Sequence, residues 1–255
     1  MKPTARSLAR TYSDRIYPDP WEKVEDYHRV QAYAAEHPDA GRTAVGNTLE
    51  LPPERVRGWI NGGKPDPVRG INTASANGWV NPDEDMCSAL IELLSHVLAG
   101  GSINKTFVPA ITTGQQVDYH VIRRVFKRVG VDAQMRHADS DKRATEVYPT
   151  TDASVLGRCL VTMGVPQGVK TNLDAIPLMV WESPEPVRRR FVECYVAHRG
   201  VQFKNKATTR VQEERPTSYI LDLHKLINES VSSQVSHRES GIIISADATR
   251  ELGLG

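Results

Sequence analysis

Apolar positions take up a sustained spacing only from Trp21 onward. In WEKVEDYHRVQAYAAEH, Trp21, Val24, Tyr27 or His28, Ala32 and Ala35 recur at helical intervals, and the Pro38-Asp39-Ala40-Gly41 cluster stops the run. Residues 1–20 carry Pro3, Pro18 and Pro20 among scattered charges with no period, which predicts a partly ordered leader.

Two short helices are expected next, one capped by Thr43 and running to about Glu50, the other opened by Pro53 and ended by Gly62-Gly63. Ala44, Val45 and Leu49 on the first face Val56, Trp59 and Ile60 on the second, so residues 21–70 have helix-turn-helix spacing. The stretch 64–82, KPDPVRGINTASANGWVNP, is rich in Pro, Gly, Asn and Ser and predicts a wing or linker, with 71–84 as the link to a larger domain.

That second domain, 85–255, repeats itself. MCSALIELLSHVLAGG (86–101) is answered by EPVRRRFVECYVAHRG (185–200), and the heptapeptide Val131 to His137 by Val231 to His237. Two landmarks at nearly one offset point to a duplicated unit. Within the first copy the expected elements are strand Thr106 to Thr112, helix Gln116 to Val129, a strand pair over 131–137 and 143–150, and helix Asp152 to Met163. The second copy follows with strand 201–211, helix 218–230, strands 231–237 and 241–246, and room for a turn or two of final helix. The fold class is α+β, with repeat one at 85–165, a connector at 166–182 and repeat two at 183–255.

Charge and composition narrow the function classes. The 255-residue chain has a formal net charge of +1, so a basic footprint has to be local. No stretch approaches the roughly 18 apolar residues of a membrane span, and no secretory h-region follows Met1, so a cytoplasmic location is expected. Cys87, Cys159 and Cys194, odd in number and widely spaced, suit buried reduced thiols. The histidines form no H-x-x-x-H or H-E-x-x-H pair, so His96 and His198 read as packing groups rather than metal ligands. There is no Walker-type Gly-rich loop and no cofactor or small-molecule signature.

LLSHVLAGGSI (93–103), MGVPQGVKTNLDAIP (163–177) and SPEPVRRRFVECYVAHRG (183–200) together resemble the LAGLIDADG homing endonuclease family. The resemblance implies an αββαββα pseudo-dimer in one chain, with a saddle-shaped antiparallel sheet that binds double-stranded DNA and two motif helices packed at a pseudo-two-fold axis. In that family each motif helix ends in an acid before glycine, and the two acids hold divalent metal. Here those positions are Gly100 and Arg199, and neither can ligate a cation. Arginine is a five-donor fork suited to phosphate. Ser95 and Cys194 keep the small residue that lets the helices approach, and Gly101 and Gly200 the turn after each helix. The implied function is sequence-specific DNA binding without cleavage, as in bacterial and archaeal transcription regulators that joined such domains, with a nucleoid-associated location. No catalytic residue, metal or cofactor is expected, and restored acids at 100 and 199 would be the smallest change to bring metal back. Internal symmetry makes a monomer sufficient, with a dimer left open. A residual endonuclease recruiting Asp118, Asp139 or Asp141, and a nucleoid or protein-interaction scaffold, are the rival classes.

The expected DNA contacts are distributed over both domains. Thr43, Arg55, Arg57, Asn61, Lys64 and Arg69 belong to the small domain, where Arg and Asn suit guanine and adenine edges. Lys105, Thr112, Lys170, Arg199, Lys204, Lys206, Thr208 and Arg210 belong to the large one, on or beside the strands that follow each motif helix. The run Arg188 to Arg190 reads as a solvated helix face.

Overall fold

The computed structural model describes residues 2–114, 116–140, 142–203, 206–238 and 241–254, with Lys206 described in its backbone only. It is a mixed α+β chain with two four-stranded antiparallel sheets. Among the described residues no helix is long and apolar enough to cross a membrane.

The N-terminal third is wholly helical: α1 (Ala5–Ala9), α2 (Pro20–Glu36), α3 (Arg42–Leu49), α4 (Pro53–Ile60) and α5 (Asp66–Ala76). The expected leader is therefore structured. Thr4 and Ser7 form a reciprocal capping box on α1, and Leu8 is fully buried. The prolines that suggested irregular chain serve as helix starts: Pro20 opens α2, and Pro65 and Pro67 stand at the start of α5. The stretch expected as wing or linker is thus largely helix α5. Trp79 beyond it is fully buried and donates its indole N–H to the Val129 carbonyl at 2.8 Å.

Within this unit α2 buries Val24 and Tyr27 as expected and Val30 beyond them, while Ala32 and Ala35 of the expected stripe are exposed. Thr43 lies inside α3 rather than at its cap, which is Gly41 without a side-chain bond, and Ala44 is exposed. Glu50 ends α3 in the left-handed region at φ 57°. The Leu51 amide then donates to the Gly46 carbonyl at 2.8 Å, and a Cβ on Gly46 would lie 2.7 Å from the Leu51 oxygen. Only glycine permits that close approach between α3 and the turn. Val45, Val56 and Trp59 form the core beneath, with Trp59 edge-on to Tyr27.

Two copies of one topology follow. The first runs α6 (Glu84–Gly100), β1 (Gly101–Ile103), β2 (Pro109–Thr112), α7 (Tyr119–Arg128), β3 (Ala133–Arg136), β4 (Glu146–Pro149) and α8 (Ala153–Thr162). After α9 (Leu178–Trp181), a short helix inside the connector, the second runs α10 (Glu185–Arg199), β5 (Gly200–Phe203), β6 (Lys206–Gln212), α11 (Thr217–Ser230), β7 (Val235–Arg238), β8 (Gly241–Ile244) and α12 (Ala246–Glu251). Strand orders are β1-β2-β4-β3 and β5-β6-β8-β7. The expected strand 106–112 begins only at Pro109, because Asn104 Oδ1 accepts from the amides of Thr106 and Val108 and folds 104–108 into a turn.

α6 and α10 pack along each other at the centre. α6 is buried all round from Ala89 to Ala99, which its nearly continuous apolar sequence demands. Ser95 is small enough to sit in the interface and donates its hydroxyl to the Phe191 carbonyl at 2.7 Å. Gly101 and Gly200 have negative φ, so conformation does not require glycine there. Space does: a Cβ would lie 2.5 Å from the Ala110 oxygen in one case and from the Val196 oxygen in the other.

The N-terminal helices share the large core. Leu8, Ala74 and Trp79 belong to the same apolar cluster as α6 and α10. Arg158 of α8 donates to the Thr11 carbonyl and stacks between the rings of Tyr12 and Phe107, 3.9 and 3.8 Å from their centroids. A boundary near residue 80 consequently separates elements by topology but not by packing.

Candidate nucleic-acid interface

Strand pairing sorts the side chains of each sheet onto two faces. In the first sheet Ile111, Val147 and Ala133 point into the core, leaving Thr112, Gln134, Arg136, Glu146 and Tyr148 on the other face. That face is internally tied, since Arg136 bonds Glu146 at 2.6 Å and stacks on Tyr148. In the second sheet Thr209, Val211, Ile242 and Ile244 are buried, and the opposite face carries Val201, Thr208, Arg210, Gln212, Ser236 and Arg238. This second face is the more basic one.

Where the helix pair ends, the acid-free positions are occupied by a network of cations. Lys170 of the connector turns inward and donates its ammonium to the carbonyls of Val97 at 2.8 Å and Leu98 at 3.0 Å in the last turn of α6, where the Val97 carbonyl also accepts from the Gly101 amide. Burial, with Arg215 and Arg199 nearby and Glu213 opposing, draws its pKa down to about 7. Arg215 donates to the Tyr195 hydroxyl and the Leu98 carbonyl, both at 2.5 Å, and lies 4.4 Å over the Tyr219 ring. Glu213 accepts from Tyr195 at 2.5 Å and from Arg215 at 3.2 Å. Arg199 donates through Nε to the Gln212 carbonyl at 3.0 Å, 3.6 Å from Glu213. Together with Gly100, Thr112, Thr171 and Glu214 these groups line a cavity of about 300 Å³.

Chemically, this arrangement faces the end of α6 with the permanent guanidinium charges of Arg199 and Arg215 and with a Lys170 ammonium that titrates at about 7. Glu213 faces the cavity, but its oxygens are already engaged by Tyr195, Arg199 and Arg215. Gly100 is bound to its neighbours sterically, because a Cβ there would overlap the imidazole of His198. An acid at position 100 therefore requires the His198 imidazole to turn aside.

The other expected contacts fall into groups. Thr43, Arg57, Asn61 and Lys64 are exposed, and Arg57 and Asn61 line a shallow cleft with Arg42. Arg55 turns inward instead, donating to the Tyr17 hydroxyl at 2.6 Å with its guanidinium 4.8 Å from that ring. Arg69 is exposed on α5 and paired with Asp66. Lys105 is exposed in the β1–β2 turn, Thr112 donates its hydroxyl to the Gly100 carbonyl, and Thr208 and Arg210 sit half-buried on β6. Lys204 and Asp141 lie outside the described residues, as does the side chain of Lys206. Asp118 caps α7 by accepting from the Val121 amide at 2.9 Å, and Asp139 is exposed.

The arginine run 188–190 is partly exposed, as a solvated face would be, but each of its side chains is tied to another part of the chain. Arg188 donates to the Ser183 carbonyl at 2.9 Å, Arg189 to the carbonyls of Ser230 and Glu251, and Arg190 to Glu92 at 2.6 Å. Sequence reasoning also missed Tyr195, Glu213, Arg215 and the meeting of His96 with His198. His96–His198 and Arg215–Leu98 are 102 and 117 residues apart, and Tyr195 meets Glu213 and Arg215 from 18 and 20 residues away, so no helical or strand period announces them. No protein-family model matches this chain, and no curated protein matches it.

Proposed function

We propose that the chain binds a specific double-stranded DNA sequence without cutting it, as a transcription regulator. Its helix-turn-helix (α3–α4) and a LAGLIDADG-like saddle without metal-binding acids would grip neighbouring DNA segments. The observation that carries this reading is the end of the helix pair. Two units of equal strand order meet there, and Lys170, Arg199 and Arg215 take the place of a divalent cation. Such fixed positive charge attracts backbone phosphate and repels a metal ion. Arg210 and Arg238 on the second sheet, with Arg57 and Asn61 on α4, supply further groups suited to phosphates and base edges.

Selection of bound duplexes from random DNA tests the proposal, with Arg57→Ala and Arg210→Ala beside the parent chain. Point variants are preferable to deleting residues 1–80, because Leu8 and Trp79 belong to the main core. An enriched sequence is expected, with log affinity falling linearly in log salt and each lost phosphate contact reducing the slope by about 0.9. No enriched sequence and a flat salt profile would refute DNA binding. A protein-dependent nick in Mg²⁺ or Mn²⁺ would refute the non-cleaving half alone.

A further inference from the structure

The interface of α6 and α10 holds four donor side chains that DNA binding does not use. Glu92 and His96 stand four residues apart on α6, and Cys194 and His198 four apart on α10, so each helix presents a pair one turn apart. Glu92, His96 and Cys194 are buried, and each offers a ligand atom within 4.8 Å of the others. Cys194 Sγ is 3.7 Å from Glu92 Oε1, and the Nδ1 atoms of His96 and His198 are 3.3 Å apart. A tetrahedral zinc ion, with nitrogen and oxygen at about 2.0 Å and sulfur at about 2.3 Å, has an N–N edge of about 3.3 Å and an S–O edge of about 3.5 Å.

We propose that Glu92, His96 and Cys194 hold a zinc ion that clamps α6 to α10, with His198, which stands outside that three-residue cluster but has its Nδ1 3.3 Å from that of His96, drawn in as the fourth ligand. One sulfur, two nitrogens and one oxygen suit borderline Zn²⁺ over the hard ions Mg²⁺ and Ca²⁺, which take oxygen shells. The Cys194 thiol gives its proton to solvent as the Zn–S bond forms, so one Zn²⁺ enters and one H⁺ leaves. Without the ion Glu92 is held by Arg128 on Oε2 and Arg190 on Oε1. Both arginines are about half exposed. Arg190 can turn to solvent as Oε1 takes the metal, and Arg128 remains to orient the carboxylate.

Tag-free full chain, stripped with a chelator, can be titrated with Zn²⁺ against a chromophoric competitor and with Co²⁺ by absorption. One ion per chain is expected, with a near-ultraviolet thiolate-to-cobalt band. Cys194→Ser removes that band and His96→Gln weakens zinc binding on the order of tenfold or more. Cys159→Ser, a buried thiol outside the cluster, leaves both unchanged. The cobalt band of the parent chain decides the matter even where a variant fails to fold. Absence of stoichiometric zinc at micromolar free metal in natively folded chain, or a thiolate band that survives Cys194→Ser, overturns the site. Neither outcome depends on whether the chain binds DNA.

Discussion

Replacing Glu213 with alanine probes how the end of the helix pair is held. Its side chain is 2% exposed and that of Arg215 is 6% exposed, so their ion pair is shielded from water. Removing the carboxylate leaves the Arg215 guanidinium with the Leu98 carbonyl, the Tyr195 hydroxyl and the face of Tyr219, but without its counter-charge. Breaking a buried pair from one side costs about 3–5 kcal/mol. The retained Leu98 and Tyr195 bonds place the loss at the lower end, about 3 kcal/mol, or roughly 6–12 °C in Tm for a chain of this size. Urea unfolding followed by circular dichroism and tryptophan fluorescence measures it, with the midpoint moving and the slope unchanged. Glu213→Ala/Arg215→Met, which removes both charges, is expected to recover most of the loss, because the pair's attraction is largely offset by its desolvation. A single variant within 1 kcal/mol of the parent, or a double variant no better than the single, refutes the view that this pair clamps the helix ends.

Three further outcomes follow from the packing. Leu8→Ala is expected to cost about 2–5 kcal/mol in urea unfolding, since Leu8 is fully buried in the main core; an effect below about 0.5 kcal/mol would detach the N-terminal segment from it. Gly100→Ala forces His198 to turn away from buried His96, a loss of about 1–3 kcal/mol partly offset by up to about 1 kcal/mol of helix propensity. In a His198→Ala background the same change becomes neutral or stabilising, and a double-mutant cycle without coupling would contradict this. Lys170 loses its proton at about 7 when folded, against 10.5 as its ordinary value. The unfolded chain thus holds the extra proton between those values, so this group's burial cost is full below pH 7 and is relieved as pH rises toward 10.5. The stability difference between the parent and Lys170→Met should move in the parent's favour from pH 6 to pH 9; a constant difference would show that Lys170 keeps its proton throughout.

The duplication was legible because helix periodicity and element order survive sequence drift, yet the heptapeptide that supported it misaligns the strands. The Gly101↔Ile111 and Gly200↔Val211 pairs match Ile111 with Val211. Continuing across each sheet then matches Val147 with Ile242, and Met135 with His237. The third strands are therefore offset by 237 − 135 = 102 and the fourth by 242 − 147 = 95, because the hairpin between them is shorter in the second copy. Length changes collect in loops, and a short peptide that matches at only three of seven positions carries no register. The N-terminal helices were obscured for a related reason: proline marks a helix start as readily as an irregular chain, and only burial separates the two. At the site, the missing acids were visible in Gly100 and Arg199, but what replaced them was not. A glycine in sequence looks like a lost ligand; in three dimensions its space belongs to His198, which leans on His96 across the helix pair. An acid at position 100 and an imidazole at 198 therefore compete for one space, and a change at either position has to be read together with the other.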